Sequence, residues 1–252
     1  MTEKDALFEY CLRLGDSSLI LGHRLSEWCG HGPILEEDIA LINIALDFVG
    51  RSTSLLKYAA EVEGNNRSED DLAYVRNERQ FRNLLITEQP NGDYASTIVR
   101  QFLFDAYSFY LYTELTKSKD STISGIAEKS LKEISYHLRH SSQWILRLGD
   151  GTEESHNRTQ NALDNLWRFT HEFFEMDEVD TMLVNSGIAV NLSDVKSKWM
   201  DKVSEIFEQA TLTIPTNSFM NTGSRQGKHT EHLGYLLAEM QHVNRSYPGC
   251  NW

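Results

Sequence analysis

Apolar positions recur along this chain in steps of three and four. Leu7, Cys11, Leu14, Ser18, Leu21 and Leu25 form one such stripe. Gly30-His-Gly-Pro33 interrupts it, and Ile39, Ile42, Leu46, Val49, Thr53 and Leu56 resume it. That period places a stripe on one face of an α-helix. Two helices joined by a short break are expected to lie antiparallel, because neither can bury its stripe alone. A shorter helix is expected at about residues 70–85, then a turn through Pro90 and Asn91-Gly92. A second long pair is expected at about 94–115 and 121–148, closed by Gly149-Asp-Gly151 as a glycine stop. Further helices are expected near 159–174, 177–185, 193–212 and 230–243, with Ser193 read as a helix start.

The four prolines, at 33, 90, 215 and 248, all fall where the helical pattern has lapsed, and no run shows strand alternation beyond a few residues. The expected fold is therefore all-α: one domain over 1–252, with a core of two helical hairpins at about 4–148 and appended helices at about 156–247.

Composition narrows the function classes. A formal charge of −13 argues against nucleic acid or an anionic membrane as the main partner, since both would be repelled over much of the surface. The N-terminal stretch carries acids where a secretory signal needs a basic start, and no run approaches the roughly 20 apolar residues that cross a bilayer, so a cytoplasmic protein is expected. Cys11, Cys29 and Cys250 are odd in number and lack C-x-x-C spacing, which fits free thiols rather than disulfides or a zinc site.

Two long helical hairpins suggest a four-helix bundle, and such bundles can house a carboxylate-bridged di-iron site. That site takes one carboxylate from each of two helices and a Glu-x-x-His pair from each of the other two. Folding each hairpin about its break sets Asp47 to Arg51 level with about Cys11 to Gly15, and Glu133 to His137 level with about Leu103 to Tyr107. Asp16, Asp47, Asp105 and Glu133 then lie at comparable depth, unless some of them simply sit on solvated faces.

The histidines do not follow. With Asp47 as ligand, the imidazole should fall at Gly50; one residue on, the two places hold Phe48 and Arg51. With Glu133 as ligand, Tyr136 stands where histidine is needed, and with His137 as ligand, Ile134 stands where a carboxylate is needed. Arg51, four residues after Asp47, could supply the positive charge that a metal would otherwise bring. No metal, cofactor or catalytic residue is therefore expected in this chain, and Asp16, Asp47, Arg51, Asp105, Glu133 and His137 are read as a vestigial position. The contrasting reading is a self-sufficient oxygenase with unorthodox ligands such as Asp16, Asp105 and His137.

Glu153-x-x-His156 and Glu239-x-x-His242 match the ligand spacing literally, the first in a polar segment and the second without a helical second copy. His229-Thr-Glu-His232, after Gly223-Ser-Arg-Gln-Gly227, reads either as a docking or anion site at a helix N-terminus or as a capped helix start.

Several segments, in order along most of the chain, resemble the PaaC-type subunit of bacterial phenylacetyl-CoA epoxidase: RLGDSSLILGHRLSEWCGHGP, EDIALINIALDFVG, RNERQFRNLLITEQPNGDYASTIVRQFLFDAY, KEISYHLRHSSQWILRLGDGT, LWRFTHEFF and GKHTEHLGYLLAEMQ. The resemblance implies a ferritin-like fold and tight pairing with a related catalytic subunit that holds the di-iron centre and the CoA thioester. It also implies electron delivery by a separate reductase and a structural role for this chain.

Overall fold

The computed structural model describes residues 1–216 and 218–250, and all regular structure among them is helical. The α-helices in order are α1 (Glu3–Ser26), α2 (Leu35–Glu63), α3 (Glu69–Tyr74), α4 (Tyr94–Leu115), α5 (Ser121–Gly149), α6 (Glu153–Leu166), α7 (Glu178–Ser186), α8 (Leu192–Gln209), α9 (Glu231–Met240) and α10 (His242–Ser246). Two long hairpins followed by shorter helices is the element order of a ferritin-like chain. The chain divides into two compact units: residues 1–90 with the stretch from Gly223 onward, and residues 91–222.

In the first unit α1 starts from a reciprocal cap, in which Thr2 accepts from the Asp5 amide and the Asp5 carboxylate accepts from the Thr2 amide. α1 and α2 pack along their length, and two glycines let them approach closely. A Cβ on Gly15 would lie 2.8 Å from the Leu56 side chain, and one on Gly22 would lie 3.2 Å from the Phe48 Cβ. These contacts also fix the level of the two helices. Gly22 is four residues from the end of α1, whereas Phe48 is thirteen residues into α2. The first two turns of α2 therefore overhang α1, and folding the hairpin symmetrically about His31 misplaces Arg51 by about two turns.

α2 also corrects the expectation that no segment is apolar enough to cross a bilayer. It reaches a mean hydropathy of 1.4 over 18 residues. That apolarity serves packing within the unit, where Leu41, Ile44, Phe48, Leu55, Leu56 and Ala59 are buried.

The helix expected over 70–85 stops at Tyr74, leaving short 3-10 turns at Glu78–Gln80 and Leu85–Glu88. Backbone donors that would have continued it are used by α1 instead. The Arg82 amide donates to Asp16 Oδ2 at 2.8 Å and the Leu84 amide to Ser17 Oγ at 3.1 Å. The helix expected over 230–243 breaks at Gln241, whose buried amide donates to the carbonyls of Ala73 and Arg76.

In the second unit α4 packs against α5, α6 and α8, and it is buried without interruption from Ile98 to Ser108. A helix covered on several sides needs apolar residues all round, which is why its sequence loses a clean stripe. Phe102 meets Phe207 at 5.3 Å, Trp167 stacks on Trp199 at 5.6 Å, and the Trp199 indole donates to the Leu103 carbonyl at 3.0 Å. Asp93, Asp120 and Asn191 cap α4, α5 and α8, so α8 begins two residues before the cap expected at Ser193.

Two further expectations change here. α6 begins at Glu153, capped by Thr152, and not near 159. Gly149 is the last residue of α5 and is followed by a right-handed Asp150. It is no left-handed stop; it lets the helix end close on Ala210, where a Cβ would collide with the carbonyl.

Two substitutions separate these glycine roles. Gly227 has φ +69° and its Cβ would strike the Arg79 carbonyl, so Gly227→Ala should lower stability by more than about 1 kcal/mol. Gly50 is exposed in the middle of α2 with nothing near its missing Cβ, so Gly50→Ala should raise stability by about 0.5–1 kcal/mol. Urea denaturation midpoints of the two variants should move in opposite directions.

Candidate functional site

The candidate metal positions are best judged by which residues of each long helix point inward. On α2, Phe48 and Arg51 are buried, while Asp47 is half-buried and Gly50 exposed. On α5, Ile134 and His137 are buried, while Glu133 is half-buried and Tyr136 is 41% exposed. The inward pair at i and i+3 is therefore Phe48 with Arg51, and Ile134 with His137. Asp47 and Glu133 stand beside those pairs and not in them. One imidazole and no carboxylate occupy the four places where two Glu-x-x-His motifs would project.

Asp16 is fully buried, and its carboxylate is engaged by the Arg76 guanidinium through both terminal nitrogens, with the Arg82 amide completing the shell. The charge that compensates it is Arg76, 60 residues along the chain, and not Arg51. The Arg51 guanidinium lies 4.6 Å from the Phe48 ring centre, a cation–π distance.

In the second unit Asp105 is also buried, accepting from Gln101 Nε2 at 2.8 Å and Ser141 Oγ at 2.9 Å. Ser141 lies one turn after His137 and shares its proton between Asp105 and the His137 carbonyl. Among the described residues no three His, Cys, Asp or Glu side chains are grouped to hold a metal. The donor set in neither unit fits a di-iron centre.

The literal spacing matches resolve as local structure. His156 lies in the first turn of α6 with Nδ1 2.8 Å from the Gly149 carbonyl. Glu239 and His242 are exposed on either side of the break at Gln241.

The polar string at 229–232 proves more informative. Glu88 is fully buried, and its Oε1 accepts from the Thr230 amide at 2.6 Å and the Thr230 hydroxyl at 2.7 Å. Its Oε2 faces His229 Nδ1 at 2.8 Å and accepts from Asn83 at 2.9 Å. The N-terminus of α9 does hold an anion, and the anion is the chain's own Glu88. His229 Nε2 faces the Phe81 carbonyl at 3.1 Å. Both ring nitrogens thus meet acceptors, and the bonding is complete when both carry protons. The Glu88 carbonyl in turn accepts from Arg24 at 2.9 and 3.0 Å. The sequence marked His229 as polar, but nothing in it pointed to Glu88, 141 residues away.

The model for the family described as phenylacetic acid catabolic protein matches residues 1–252. The chain belongs to that family. It is 48% identical over 246 residues to the PaaC-type subunit of 1,2-phenylacetyl-CoA epoxidase from Escherichia coli (strain K12), across 98% of this chain and 99% of the relative. Membership at full length means that the family's fold is retained here with Phe48, Arg51 and Ile134 at inward positions.

Two variants test the buried charges. Asp16→Asn leaves the Arg76 guanidinium without its counter-charge and should cost about 3–5 kcal/mol in urea denaturation, with Asp16→Asn/Arg76→Met recovering part of the loss. Glu88→Ala should sharply reduce hydrogen-exchange protection of α9 while α1 and α2 keep theirs, because it removes the acceptor shared by His229 and Thr230.

Proposed function

We propose that this chain is the non-catalytic structural subunit of a multicomponent di-iron monooxygenase that epoxidises the aromatic ring of phenylacetyl-CoA, and that it binds and stabilises a homologous catalytic subunit. The observation that carries the reading is the inward face of α2 and α5, where Phe48, Arg51 and Ile134 stand in three of the four motif positions. Oxygen activation at a di-iron centre needs carboxylates there to bridge and charge-balance the metals. The near full-length identity to an epoxidase subunit supports the assembly. In this reading the metals and the CoA thioester belong to the catalytic subunit, and a separate reductase and accessory subunits complete the enzyme.

The contrasting reading, a self-sufficient oxygenase using Asp16, Asp105 and His137, conflicts with the engagement of both Asp16 oxygens by Arg76. The test is purification of the chain alone and with the other epoxidase subunits, with iron measured for each. Iron should follow the catalytic partner, and that partner should lose soluble yield and activity when produced without this chain. Stoichiometric iron and dioxygen consumption by the isolated chain would overturn the proposal.

A further inference from the structure

The outer face of α5 carries a charge pattern opposite to that of the whole chain. Its inner face buries Ile123, Ala127, Ser130, Ile134, His137, Ser141 and Ile145. On the opposite side Lys129, Lys132, Tyr136, Arg139, Gln143 and Arg147 are exposed at steps of three and four, the spacing of a single helical face. Four cations thus line about five turns, or about 27 Å, of one helix, in a chain whose formal charge is −13. Glu128 flanks this row and Glu133 is half-buried; no acid lies within it.

Elsewhere the chain pairs cations freely, as in Arg158 with Glu154, Lys198 with Glu114 and Lys202 with Glu205. The α5 cations are different. Among the described residues the Lys129 and Lys132 ammonium groups and the Arg139 and Arg147 guanidinium groups meet no carboxylate. Arg139 and Arg147 lie only against aromatic rings, 5.6 Å from the Tyr136 centre and 5.2 Å from that of Trp144.

We propose that this basic face of α5 is a docking surface for an acidic helical face on another subunit of the epoxidase. The inference rests on the subunit reading above and names the surface and the chemistry of the partner. Charge complementarity selects the occupant. A row of like charges with no internal acids repels itself and is relieved by a partner bearing carboxylates at matching spacing. The shape selects a macromolecule over a small anion: the cations are strung along a convex helix and do not converge on one phosphate. The charge of the whole chain disfavours nucleic acid or an anionic bilayer. Tyr136 and the two arginines, at the middle and one end of the row, are residue types enriched at protein interfaces.

The test uses the full chain and each of the other purified epoxidase subunits. The triple variant Lys132→Glu, Arg139→Glu, Arg147→Glu is compared with a control of equal charge change on other exposed lysines, Lys4→Glu, Lys57→Glu, Lys119→Glu. Both should keep their thermal midpoints within a few degrees, since exposed unpaired charges contribute little to folding. For one subunit the α5 variant should raise the Kd by about tenfold or more, the control should leave it unchanged, and added salt should weaken the wild-type complex. Equal weakening by the control, or no change with the α5 variant for any subunit, would overturn the assignment while leaving the subunit reading intact. Loss of free CoA binding with subunit binding unchanged would assign the face to a small anion and would also overturn it. If the wild-type chain binds no subunit at all, the subunit reading fails and takes this inference with it.

Discussion

A carboxylate taken out of water must meet positive charge or strong donors, and in the first unit that requirement shapes everything outside the two long helices. Asp16 is buried on α1 and draws in Arg76 and the Arg82 amide. Those bonds end α3 early and pull residues 81–84 out of helical conformation. Glu88 repeats the logic a few residues later. Its carboxylate collects Thr230, His229 and Asn83, which anchors the C-terminal helices to the first unit. Replacing either acid by an apolar residue of similar size need not be costly, but removing one partner alone strands a charge. The paired arrangement is therefore kept as a whole.

The same requirement links structure to function. In a di-iron bundle the metals supply the compensating charge for acids on the core helices. In this chain Asp16 is balanced by Arg76, Asp105 is held by the neutral donors Gln101 and Ser141, and the motif positions carry Phe48, Arg51 and Ile134. The acids persist with protein partners in place of metal. A unit built this way is rigid and self-satisfied in its interior, which suits a subunit whose role lies at its surface, where α5 presents unpaired cations.

The two units also use helical sequence differently. α5 is strongly two-sided and keeps a readable stripe, because one face packs and the other meets solvent. α4 is covered on several sides, so its apolar residues run on without a clear period. α2 lies between these cases, and its continuous apolarity reaches the level of a membrane segment although its inner face packs on α1.

The sequence by itself determined the all-α class, the four long helices to within a few residues and the absence of a complete ligand set in either reading frame of each motif. Those features follow from local periodicity, turn chemistry and fixed i, i+3 spacing. Only the tertiary structure decided which frame faces inward, because that depends on how each helix is rotated against its neighbour. It alone set the overhang of α2 on α1, through the close approaches at Gly15 and Gly22. It alone replaced Arg51 by Arg76 as the partner of Asp16 and joined Glu88 to His229. Those pairings span 60 and 141 residues and run through non-helical segments, which carry no period from which a partner can be read.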